Sequence, residues 1–126
     1  MRAIDTNVLV LLITRDDSKQ VTEAEIFAEK GAWVSQIVLV ETTWVLASVY
    51  DLKSMDIARA VEMLLNHRNI ALQEPEVVSA ALALFRKKPS LGFSDCLLLE
   101  AARKSGNLPL GTFDRNLGKI SGAMTL

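Results

Sequence analysis

Asp5, Glu41, Asp95 and Asp114 stand where acids are seldom found, at the junction of an apolar segment with a turn or inside an apolar run. Asp5 ends Met1-Arg2-Ala3-Ile4 and is followed by Thr6-Asn7. Glu41 interrupts Ile37-Val38-Leu39-Val40 and Thr42-Thr43-Trp44-Val45-Leu46. Asp95 opens the apolar segment Cys96-Leu97-Leu98-Leu99, and Asp114 closes Leu110-Gly111-Thr112-Phe113. Carboxylates are rarely buried unless they are paired or bind a metal. Four of them drawn from separated segments suggest one acidic pocket held together by a cation.

A hard cation such as Mg²⁺ or Mn²⁺ takes oxygen ligands, and Mg²⁺ uses one or two carboxylates directly while keeping several waters. The remaining acids can hold those waters. Such a site can activate a water and neutralise charge on a phosphoryl group in transfer. Asn7, Thr112 and Arg115 are candidates for positioning a water or a phosphate oxygen, and ordinary turn hydrogen bonding is the plain alternative for Asn7 and Thr112. Singly, three of the acids also have plain roles. Asp5 can cap a helix, Asp95 can favour a helix's first turn, and Asp114 can begin a turn. Glu41 resists such a reading, because a carboxylate amid an apolar helical face is costly and no basic residue lies near it in sequence.

The elements that must carry these residues alternate. Residues 1–4 read as a short buried strand, and residues 8–14 as a helix after the capping turn Asp5-Thr6-Asn7. A helix over residues 18–30, with Val21, Ala24, Ile26, Phe27 and Ala28 as its apolar stripe, stops at Gly31. Residues 32–34 form a strand. The segment from residue 36 to about residue 50 favours a strand by propensity and a helix by length, and length decides for helix, capped by Ser35. There Ile37, Val38, Glu41, Trp44, Val45 and Ser48 share one face. Ser54 caps a helix over residues 55–66, and residues 69–72 form a third strand. Pro75 opens a helix running to residue 88. Residues 88–92 form a loop, Ser94 caps a helix over residues 95–105, residues 109–112 form a fourth strand, and residues 123–125 form a short fifth. This alternation predicts an α/β fold, three-layer α/β/α, with a short central parallel sheet of four to five strands. Sites in such sheets form beyond the carboxyl ends of strands, where Asp5 and Asp114 fall.

At 126 residues and 50% hydrophobic, the chain fits one domain spanning residues 1–126 with a sizeable core. The lone Cys96 excludes an internal disulfide and reads as a small core residue, while the absence of a signal-like start points to a cytoplasmic protein. No run is apolar enough to span a membrane. With His67 as the one histidine, His triads and multi-His zinc sites fall away. A formal net charge of −1 and a pI of 5.8 exclude a generic nucleic-acid coat but not a nucleic-acid enzyme with local patches. Basic groups occur at Arg86-Lys87-Lys88, Arg103-Lys104, and Arg115 with Lys119, where solvated helix ends are an equal alternative.

In order and spacing, Asp5-Thr6-Asn7 after an opening strand, Glu41 in the third helix, Asp95 opening an apolar helix and Thr112-Phe113-Asp114 after the next strand resemble a PIN domain. The short form resembles the VapC toxins of prokaryotic toxin–antitoxin pairs. The resemblance implies a Mg²⁺- or Mn²⁺-dependent endoribonuclease acting on single-stranded RNA, with Asp5, Glu41, Asp95 and Asp114 as its catalytic and metal-binding acids. Asp5 and Asp95 lead as direct ligands, and Asp114 is the most variable corner. The resemblance also implies a cognate antitoxin and a homodimer. Leu11, Leu12, Trp44, Tyr50, Leu52 and Met55 are candidate anchors for that partner, with core packing as the plainer role for most of them. Trp33 and Trp44 could stack on RNA bases, but core packing is the expectation for both.

Three other classes compete. A phospho-acceptor signalling domain would also cluster acids around Mg²⁺, but Asp5 lacks an adjacent acid and the third strand ends in Gln73-Glu74. A binding module could keep the fold and lack the chemistry. A nuclease for structured DNA would need extra elements to clamp a duplex, and the near-neutral charge gives little backbone affinity.

Overall fold

A computed structural model describes all residues, 1–126. The chain divides into two compact units, Met1–Pro75 and Glu76–Leu126.

In the first unit the order is β1 (Arg2–Ala3), α1 (Thr6–Thr14), α2 (Ser18–Ala28), β2 (Ala32–Val34), α3 (Gln36–Ser48), α4 (Ser54–Asn66) and β3 (Ile70–Leu72). The strands form a parallel sheet in the order β1-β2-β3, with Ala3 opposite Trp33 and Trp33 opposite Ala71. Parallel neighbours need long crossovers, and here each is a pair of helices. Short side chains start three of these helices. Asp5 accepts from Val8 N–H, Asp17 from Gln20 N–H and Ser35 from Val38 N–H, each satisfying an otherwise orphaned donor. Leu9, Val34, Leu39, Leu46, Val61 and Leu64 are fully buried and form the heart of this unit.

In the second unit α5 (Pro75–Lys87, with Pro75 at the boundary) leads through a short 3₁₀ turn (Pro89–Leu91) to α6 (Phe93–Ser105), β4 (Leu110–Thr112), α7 (Arg115–Gly118) and β5 (Ala123–Thr125). Strands β4 and β5 pair in parallel, Thr112 opposite Thr125. Phe85 and Phe93 meet edge to face, with centroids 5.9 Å apart, over a core containing Val78, Cys96 and Leu99. Lys104 Nζ donates to Glu76 at 2.6 Å. Arg103 donates to the Ser121 carbonyl at 2.7 Å and to Glu100 at 3.2 Å. These two cations are therefore engaged within their unit rather than simply solvated.

The α/β class and all five strands agree with the sequence. Several local expectations do not. Ser54 and Ser94 lie inside their helices, and the caps are Lys53 and Gly92, neither making a side-chain capping bond. Gly92 has φ 80°, a left-handed conformation that glycine adopts without strain. The turn expected after Asp114 is the helix α7. On α2, Ile26 is exposed rather than part of the buried stripe. The face of α3 was also misassigned. Its buried residues are Leu39, Thr42, Thr43 and Leu46, so the face bearing Ile37, Glu41 and Trp44 looks outward. Trp44 is 64% exposed and Trp33 is 37% exposed, which removes core packing as the role of Trp44.

Gly118 has a steric reason. A Cβ there would stand 2.9 Å from Thr125 Cβ and 3.1 Å from the Thr125 backbone nitrogen, so β5 would have to move. Gly118→Ala should therefore lower stability by roughly 1–3 kcal/mol, the usual cost of overpacking. Urea unfolding of the two proteins measures it, and an unchanged midpoint would show that β5 yields freely.

Candidate active site

The candidate acids come in two pairs, one in each unit. In the first unit Asp5 follows β1. Its backbone is held in the sheet's continuation, since Ile4 N–H donates to the Trp33 carbonyl at 3.1 Å. Its Oδ1 accepts from Val8 N–H at 3.1 Å. The capping role is thus real, and it occupies one carboxylate oxygen of an exposed side chain, leaving the other for a ligand. The next residue makes the link to the second acid. Thr6 Oγ1 donates to Glu41 Oε1 at 3.2 Å, tying the first turn of α1 to the middle of α3. Glu41 is exposed, not buried as its apolar neighbours implied, so the expected burial cost is absent. Solvent and one hydroxyl hold it instead. Thr6 was passed over in the sequence, although it sits between the two residues singled out there, Asp5 and Asn7.

Asp5 and Asn7 line an open concavity of about 760 Å³ together with Gln20, Glu23, Phe27 and Tyr50. Glu23 and Gln20 come from α2, where nothing in their spacing sets them apart from the other polar residues of that helix. Tyr50 donates to Asp16, and that bond holds its hydroxyl above the usual tyrosine range.

In the second unit Asp114 ends β4 and caps α7, its Oδ1 accepting from Leu117 N–H at 2.9 Å. Thr112 Oγ1 accepts from Asp114 N–H at 3.0 Å, the ordinary turn bonding foreseen as its alternative role. Asp95 lies in the first turn of α6 and is half-buried. Partial burial raises its pKa above the ordinary aspartate value, and the charge of Asp114 adds to the rise. Two acids from different elements thus repel one another. Cys96, next in sequence, is fully buried, and desolvation first, then Asp95 and Glu100, push its thiol up to about 11. It is a neutral core residue, as expected, and not a nucleophile.

No group of three or more His, Cys, Asp and Glu side chains forms a ready-made metal cage. The donors are carboxylate oxygens in twos, accompanied by hydroxyls. That chemistry fits a cation that takes one or two carboxylates and keeps its waters, as Mg²⁺ does, and does not fit a closed zinc site.

The family model of the PIN domain matches residues 3–123, which takes in all four acids and both units. The chain belongs to the PIN domain family. No curated protein matches it. PIN domains are in general metal-dependent nucleases, so nuclease activity is the general expectation for this member. No helix of this PIN domain is long and apolar enough to cross a membrane.

The raised pKa of Asp95 has a thermodynamic consequence. The folded state holds the Asp95 proton to higher pH than the unfolded chain does, so it binds more protons between the two pKa values. Stability from this group is present below the unfolded value, about 4, and is lost as pH rises through the folded one. In EDTA, Asp95→Asn should therefore melt higher than wild type at neutral pH, the gap closing as pH falls towards 4. A scan of melting temperature against pH in both proteins checks this, and a gap independent of pH would remove the repulsive pair.

Proposed function

We propose that this PIN domain is a Mg²⁺- or Mn²⁺-dependent endoribonuclease that cleaves single-stranded RNA. We read it further as the toxin of a type II toxin–antitoxin pair. The observation that carries the nuclease reading is the half-buried Asp95, whose carboxyl pKa is raised by burial and by the charge of Asp114, with Glu41 tied through Thr6 to the turn that Asp5 caps. Paired carboxylates without a basic partner are stable when a cation neutralises them. The family match runs over both units, which supports taking residues 1–126 as one domain.

In this reading Asp5 and Asp95 bind the ion directly, and Glu41 and Asp114 hold its waters. A bound ion would supply charge to offset the phosphoryl oxygens and lower the pKa of a water. Glu41, exposed and held through one oxygen by Thr6, would serve as the proton acceptor for the attacking water. Asp5 and Asp114 each keep one oxygen fixed by a helix cap, so their free oxygens point in defined directions. That preorganisation leaves little to rearrange at the moment of reaction. Arg115 and Asn7 serve as phosphate and water positioners.

The toxin reading adds a cognate antitoxin, a homodimer and a cytoplasmic location. Exposed Trp44 and Met55 and the concavity bearing Leu11 and Tyr50 suit a protein partner. Leu12 and Leu52 are half-buried and offer less.

Cleavage of labelled single-stranded RNA should require Mg²⁺ or Mn²⁺ and stop in EDTA. Persistence at full rate in EDTA would end the metal mechanism. Asp5→Asn and Asp95→Asn should each reduce cleavage by roughly 100-fold or more. Asn caps a helix about as well as Asp, so Asp5→Asn should stay within about 0.5 kcal/mol of wild-type stability. Retained activity would reduce Asp5 to a helix cap. Induced expression should arrest growth of the host, and Asp5→Asn should relieve it. A harmless wild-type protein would remove the toxin role while leaving the ribonuclease role to the cleavage assay.

A further inference from the structure

The turn after β4 folds two side chains back onto their own backbone and leaves the one between them outside. Thr112 Oγ1 accepts from Asp114 N–H, and Asp114 Oδ1 accepts from Leu117 N–H. Phe113, between them, is 82% exposed, more than any other large hydrophobic side chain of the chain. Core packing gives no reason for it, because the apolar residue this segment buries is Leu117. A bare aromatic ring next in sequence to a candidate catalytic acid offers an open face on which something flat can stack. Two exposed cations follow at once, Arg115 opening α7 and Lys119 capping its end. An aromatic face flanked by cations is the combination that single-stranded nucleic acid uses, bases stacking on the ring and phosphates meeting the charges.

We propose that Phe113 is a base-stacking residue that receives one unpaired base of the substrate, while Arg115 and Lys119 take the neighbouring phosphates, setting the backbone beside Asp114. The assignment rests on the ribonuclease reading above. It also supplies a reason for single-strand preference. A base already stacked in a duplex has no free face to offer the ring, whereas stacking is open to any unpaired base whatever its sequence.

The test compares Phe113→Ala, Phe113→Trp and Phe113→Leu with wild type, using a fluorescein-labelled single-stranded RNA of mixed sequence. Steady-state cleavage gives KM and kcat, and anisotropy in EDTA gives binding without turnover. Phe113→Ala should raise KM and weaken binding about tenfold, the usual order of effect for losing one stacked base, with melting temperature unchanged because the ring supports no core. Phe113→Trp should restore wild-type KM, since it keeps a π face. Phe113→Leu should not, although it keeps apolar bulk. Unchanged KM and binding in Phe113→Ala would overturn the proposal, as they would if the ring served a protein partner instead. Restoration by Leu as complete as by Trp would overturn it too. These failures are distinct from failure of the ribonuclease reading, which would appear as a wild-type protein that cleaves no RNA. If that protein also bound no RNA, the stacking role would fall with it.

Discussion

A carboxylate held partly out of water beside a second acid is the constraint on which the candidate site depends. Asp95 and Asp114 come from different elements of the second unit, and partial burial of one and the charge of the other favour the proton-bound form of Asp95. In the first unit a single hydroxyl, Thr6 Oγ1, ties Glu41 to the first turn of α1, the helix that Asp5 caps. Folding does not gain from such arrangements, because each acid would be better solvated alone. Asp5, Asp95 and Asp114 are tolerated because they stay at a strand end or a helix start, and Glu41, in the middle of α3, because it faces water. Two of them also serve as helix caps, which stabilise a helix by about 1 kcal/mol each. The cap bonds thereby turn a cost into a local gain, and they fix one oxygen of each carboxylate at the same time.

The positions of Asp5, Asp95 and Asp114 were legible because each breaks a pattern at an element's end, where few structural roles compete. Glu41 was legible as an oddity and misread in its surroundings. The reason lies in α3, whose residues Ile37, Val38, Leu39, Val40, Val45 and Leu46 are apolar around most of the helix. Periodicity cannot choose a face when two faces qualify. Packing of α3 against α1 and α4 leaves Leu39, Thr42, Thr43 and Leu46 buried and Glu41 and Trp44 turned outward. In α4, where charged and apolar positions separate cleanly, the spacing turns Ile57, Ala58, Val61, Leu64 and Leu65 inward, and all of these are buried except Leu65, which is half-buried. The alternation of strands and helices implied parallel pairing, which the structure has, but not the order of the strands. Short strands of two or three residues carry too little pattern to specify neighbours, and β4-β5 pairing depends on Gly118 giving room to Thr125.

Polar contacts between distant segments were the other blind spot. Thr6 with Glu41, Arg103 with Ser121 and Lys104 with Glu76 join residues 35, 18 and 28 positions apart. No local rule links such residues. Arg103 looked like a solvated helix end, yet its guanidinium lies 3.0 Å from where a Cβ on Gly122 would be, bracing the chain just before β5. The cause of α7 is local instead. Asp114-Arg115-Asn116 has the composition of a turn, but the cap bond from Asp114 and burial of Leu117 close it into a helix.

Binding of a divalent cation by Asp5 and by Asp95 is what the proposed nuclease chemistry requires. Mn²⁺ tests it most directly, because free aqueous Mn²⁺ gives a paramagnetic resonance signal that binding broadens away. Titrating Mn²⁺ into wild type, Asp5→Asn and Asp95→Asn compares one acid from each pair without reference to any substrate. The account predicts saturable binding by wild type that each substitution weakens severely. Mn²⁺ binding that survives unchanged in either variant, or that is absent from wild type, would contradict it.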